Sequence, residues 1–81
     1  MKKNVYFAID YYDRKVIQLI IEKYNLEPME AMRSFIMSKT HAMLEDADYG
    51  LLSFSEYAVF DMWEAERVTG DVRNSVYVRG E

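Results

Sequence analysis

The chain contains no cysteine, which removes disulfide stapling, thiolate nucleophiles, dithiol redox chemistry and thiolate zinc sites together. Glycine is confined to Gly50, Gly70 and Gly80, too scattered to build a phosphate-cradling loop, and no Gly-x-Ser-x-Gly elbow presents a serine for catalysis. Long apolar runs are also missing: nothing approaches the roughly 20 residues that cross a bilayer. Lys2 and Lys3 precede an apolar run that stops at Asp10, short of a signal-peptide core. A cytoplasmic location without membrane contact is therefore expected. Positive charge is scarce in the second half: residues 1–39 hold seven basic and five acidic side chains, a net of +2, whereas residues 40–81 hold three basic and nine acidic, a net of −6. That half repels phosphate, so any nucleic-acid contact belongs to the first.

What is present suffices for one folded unit. At 81 residues the chain is too short for two independent cores, and a hydrophobic fraction of 51% against 30% charged residues offsets chain entropy well enough to make global disorder a poor reading. Ile9, Tyr12, Val16, Ile20 and Tyr24 recur three and four apart, with Ile17 and Ile21 widening the stripe. This predicts a first helix over 10–25 capped by Asp10, with Asn4 as a competing cap for a longer helix from about Val5. Asn25 ends it, and Pro28 suits the first turn of a second helix over 28–38. Helical spacing continues to Ala47, as one helix or two, and a break near Ser38-Lys39-Thr40 that starts a third segment over 40–47 is favoured, since short hydroxyl side chains favour caps. Asp46-Ala47-Asp48-Tyr49-Gly50 reads as a turn. Ser53 with Glu56 has the spacing of a capping box for a last helix over 54–68, ended by Gly70.

The tail, 71–81, lacks helical spacing. Its Val76-Tyr77-Val78 has strand propensity and either pairs with Asn4-Val5-Tyr6-Phe7 or lies extended over the helices. The expected fold class is thus mainly α: a small bundle of three to four helices with an extended C-terminal tail.

Candidate chemistry is sparse. His41 and Glu45 are four apart and share a helix face, and with Asp48 they define a metal-assisted hydrolase as the third-ranked function; a hydrolytic metal needs about three protein ligands, and His41 reads more simply as a surface or boundary residue. Glu56, Asp61, Glu64 and Glu66 invite comparison with paired acid and base, yet such pairs require a cleft that raises one pKa, so a solvated face is the expectation, with Glu64 and Arg67 bridged along the helix. No cofactor motif and no recognised catalytic set is found, so an enzyme is not expected.

Aromatic residues are more telling. Seven tyrosines, four phenylalanines and one tryptophan make up 15% of the chain, more than a small core readily encloses, and tyrosine and tryptophan favour protein contacts. Tyr11, Tyr12, Tyr49, Tyr57 and Trp63 are the expected interface residues. Met29, Met32, Met37, Met43 and Met62 either fill the core or line an adaptable peptide groove. The leading function is therefore a protein-binding regulatory or adaptor module, working as a homodimer. The runner-up is a nucleic-acid-binding regulator using Arg14, Lys15 and Arg33, weakened by Glu27 and Glu30 beside the last of these.

The stretch Leu26-Glu27-Pro28-Met29-Glu30-Ala31, with Phe35-Ile36-Met37-Ser38-Lys39-Thr40 and His41-Ala42-Met43-Leu44, resembles small uncharacterised bacterial helical proteins, some of them accessory or antitoxin-like partners of neighbouring gene products. The resemblance spans roughly 10–63 and rests on helix-packing patterns, so it implies a binding role and assigns no site residue.

Overall fold

The computed structural model describes residues 2–75, with the backbone alone at 2–7, 47 and 74. Four α-helices, α1 (Lys2–Tyr24), α2 (Pro28–Ile36), α3 (Lys39–Glu45) and α4 (Glu56–Thr69), are joined by short 3-10 turns at Ala47–Tyr49, Leu51–Ser53 and Val72–Asn74. The expected mainly helical class is what the chain adopts, and there is no strand among the described residues.

Helix α1 starts at Lys2, eight residues before the expected Asp10. Its apolar stripe extends backward without interruption because Val5 lies four residues before Ile9. Asp10 is therefore interior, where its carboxylate holds Arg14 one turn on, at 3.0 Å. Because Asn4–Phe7 are helical, the expected ribbon between this segment and the tail has no strand to pair with. Residues 76–78 lie outside the described residues.

The stop signals act where they were read. Asn25 takes a left-handed conformation with φ 55°, and Pro28 occupies the first turn of α2. Ser38 accepts from the His41 N–H at 3.1 Å and caps α3. Gly70 ends α4 in the left-handed region, φ 81°, which a residue with a Cβ adopts only at a cost. The start of α4 differs. Ser55, not Ser53, accepts from the Ala58 N–H at 3.2 Å, while the Ser53 hydroxyl turns back to the Gly50 carbonyl at 2.7 Å. Phe54 stays extended between them and packs against the core, which a helix begun at 54 would prevent.

The core draws on all four helices: Ile9, Tyr12, Val16 and Ile20 from α1, Ala31 and Phe35 from α2, Leu44 from α3, and Ala58, Val59, Met62 and Trp63 from α4, closed by Leu51 and Val72. Of the β-branched residues that weaken α1 as an isolated helix, Ile9, Val16 and Ile20 are buried and Ile17 and Ile21 pack against the core, so packing stabilises it. At 1.5 Å per residue α1 is about 35 Å long, matching the longest dimension of the molecule, 35 Å.

Candidate interaction surface

Helix α2 has nine residues, and only Ala31 and Phe35, four apart, are buried. Its remaining large apolar side chains form a second stripe. Met29, Met32 and Ile36 follow at i, i+3 and i+7, and at 100° per residue they share an arc of about 60°, roughly a third of a turn from the buried pair. They are 64%, 41% and 40% exposed, and Met37 beyond them is 79% exposed. Scattered apolar residues on a surface are ordinary, but a contiguous stripe along one helix is not. Glu30 and Arg33 flank it on one side, both exposed and without an ion pair among the described residues.

The methionines thus divide by position. Met62 is fully buried and Met43 packs against the core, whereas Met29, Met32 and Met37 face solvent. Spacing alone does not separate the two sets, because both stripes of α2 obey helical periodicity.

The five aromatic residues expected at an interface divide as well. Tyr11, Tyr49 and Tyr57 are exposed. Tyr11 stands near Glu56 with its hydroxyl 3.5 Å from the carboxylate, and Lys15 lies 5.7 Å over its ring. Beside them Gln18, Leu19, Glu22, Glu56 and Tyr57 surround a shallow hollow of about 180 Å³. Tyr12 and Trp63, by contrast, belong to the core. The Tyr12 hydroxyl donates to the carbonyls of Leu52 and Phe54, and its burial, with Glu56 nearby, pushes its pKa up. Trp63 is 3% exposed and donates from Nε1 to the Ser34 carbonyl at 3.2 Å. Its ring makes an edge contact with Tyr24 and stacks on Phe60. Both rings carry a polar group that finds a main-chain acceptor inside, which is how such side chains enter a core at little cost.

The acidic residues of α4 are not a solvated face. Asp61 accepts from the Ser75 hydroxyl at 2.5 Å, tying the segment that follows α4 back to it. Glu64 accepts from Lys23 Nζ at 2.6 Å and from the Tyr24 hydroxyl at 2.5 Å, and these hydrogen bonds raise the pKa of both donors. The expected bridge from Glu64 to Arg67 is absent, since the Arg67 guanidinium lies over the rings of Tyr24 and Trp63 at 5.2 and 5.3 Å. Glu66 closes the first turn of α3, accepting from the Lys39 N–H at 2.8 Å and from the Thr40 N–H and hydroxyl at 2.9 and 2.7 Å. Each carboxylate is a tertiary link, and no two of them face one another as acid and base.

His41 is 5% exposed, more enclosed than the expected surface or boundary position. Its Nε2 lies 2.9 Å from Asp13 on α1 and its Nδ1 3.3 Å from Glu45 on α3, while the Phe35 ring of α2 meets it edge-on. The hydrogen bond that the ring donates to Asp13 raises its pKa above the ordinary value against the opposing effect of burial. Asp48 is not part of this cluster; its N–H donates to Asp46 within the turn, at 3.0 Å. Among the described residues no group of three or more histidine or acidic side chains is arranged to hold a metal ion.

Of the basic residues considered for nucleic acid, Arg14 is held by Asp10, Lys15 lies over Tyr11 and Arg33 stands on another helix. No helix among the described residues is long and apolar enough to cross a membrane. No family model, no curated protein and no solved structure matches the chain.

Proposed function

We propose that the chain is a protein-binding regulatory or adaptor module whose contact surface is the outer face of α2. The observation that carries this reading is the exposure of Met29, Met32, Ile36 and Met37 along a helix whose Ala31 and Phe35 already pack into the core on another side. Anchors at i, i+3 and i+7 are what a helix offers when it lies against an apolar groove or another helix. Methionine adds adaptability, because an unbranched thioether reshapes to its neighbour. Removal of this stripe from water on binding gives the interaction its driving force, at about 25 cal/mol for each Å² of apolar surface covered. The resemblance to accessory, antitoxin-like bacterial proteins supports the same reading.

Peroxide footprinting tests it. Met29, Met32 and Met37 of the purified chain, diluted to the order of 0.1 µM so that weak complexes dissociate, oxidise rapidly while buried Met62 serves as the slow internal reference. In extract of the cells that make the protein, the three exposed methionines become several-fold slower to oxidise. Equal rates in buffer and extract, with Met62 unchanged, refute the assignment of this face as a contact surface.

A further inference from the structure

Resting on that reading, we infer that the occupant of the α2 face is a second copy of the chain, docked antiparallel along α2 about a two-fold axis. A two-fold contact requires a patch complementary to itself. The exposed residues of α2 meet that requirement in one orientation only. With the axis passing between Met32 and Arg33, Met29 of one copy faces Ile36 of the partner subunit, and Met32 packs beside the same residue across the axis. Antiparallel helices bring the same flank of each together, so Glu30 comes alongside Arg33 of the partner subunit, and the pair occurs twice. Parallel docking about a two-fold along the helices puts the flank of Glu30 and Arg33 on opposite sides of the contact, so neither charge meets its complement.

Three features of the face agree with this occupant. Glu30 and Arg33 are exposed and have no ion pair within the described residues, so both are free to pair across the axis. The stripe ends in Met37, which is 79% exposed and lies on the same flank as Glu30 and Arg33, where it covers the edge of the contact. The area also matches a weak symmetric dimer. A nine-residue helix is about 14 Å long, which places the interface at the low end of the size range, under roughly 1,200 Å² in total, with a dissociation constant on the order of 10 µM.

Sedimentation equilibrium of the full chain from about 1 to 100 µM at low salt brackets that constant. The wild-type chain passes from monomer to dimer across this range. Glu30→Arg and Arg33→Glu each weaken self-association about tenfold, since each turns two attractions into two repulsions. An equimolar mixture of the two variants regains wild-type affinity, because opposite charges again face each other in the heterodimer, and the double variant Glu30→Arg/Arg33→Glu regains it alone. Circular dichroism melts confirm that each variant is folded, and Met32→Glu, which sets two like charges on the axis, abolishes association by a change outside the charge pair. A wild-type chain that stays monomeric to 100 µM overturns the inference, as do single reversals without effect or a mixture that fails to recover. If the purified chain is monomeric while its methionines are still protected in extract, the occupant is a different protein: the second copy is refuted and the protein-binding reading stands.

Discussion

Removing the Glu66 carboxylate tests how far the bundle depends on one buried cap. The first turn of α3 exposes three N–H groups without intrahelical partners. His41 gives its own to Ser38, and Lys39 and Thr40 give theirs to Glu66, which also receives the Thr40 hydroxyl. Thr40 is fully buried, so no water replaces the acceptor at its two donors. Lys39 is exposed, and solvent replaces its share. Glu66→Ala therefore leaves two polar groups buried and unpaired, at about 1–3 kcal/mol each, for a total of roughly 2–4 kcal/mol once partial relaxation is allowed. Glu66→Gln keeps one acceptor oxygen and loses the charge facing the positive end of the helix, at about 1 kcal/mol. A chain of this length has a total stability of about 4–12 kcal/mol, so the alanine variant forfeits a large share of it, and its Tm falls on the order of 10–20 °C. Urea denaturation measures both variants, and amide exchange at Thr40 reports the local effect. An alanine variant losing less than about 0.5 kcal/mol, or no more than the glutamine variant, refutes this account of α3.

Two further outcomes follow from the buried groups. The His41 imidazolium is stabilised by Asp13 and Glu45 and its folded pKa is raised, so its contribution is fully present below the unfolded value of about 6.5 and is lost as pH rises through the folded one. Denaturation midpoints between about pH 6 and pH 9 fall in the wild type relative to His41→Gln; parallel profiles refute the coupling. Trp63→Ala empties a core position and orphans the Ser34 carbonyl, costing about 3–5 kcal/mol, with association lost only as folding is lost; a variant of unchanged stability that no longer associates returns Trp63 to the surface.

Local chemistry was legible wherever a residue acts on its own backbone. Asn25 and Gly70 accept positive φ, Pro28 suits a first turn and Ser38 caps the N–H three residues on, so the breaks between helices follow from near neighbours. The same reasoning misplaced the start of α4 by choosing Ser53 over Ser55, since both are serines ahead of apolar spacing. What separates them is Phe54, whose extended backbone is set by packing. It also preferred Asp10 to Asn4 as the cap of α1, whereas Asp10 lies inside the helix and pairs with Arg14 one turn on.

The candidate surface was half legible. Met29, Met32 and Met37 read, together with Met43 and Met62, as either core or groove, and nothing in a linear pattern says which apolar side chains of α2 meet the core and which meet water. The identities of the partners were out of reach altogether. Asp13 and His41 are 28 residues apart, Glu66 and Thr40 are 26 apart, and Tyr24 and Glu64 are 40 apart, so a carboxylate expected in solvent became a cap, a clamp or a counter-ion only when another helix arrived. Periodicity and capping are properties of a few consecutive residues, and through them the sequence by itself determined that this chain is helical and where one end of each of the four described helices falls. Which side chains are enclosed, which charges are satisfied and which stripe of α2 is left for a partner depend on how the helices are set against each other, and that was decided only in the tertiary structure.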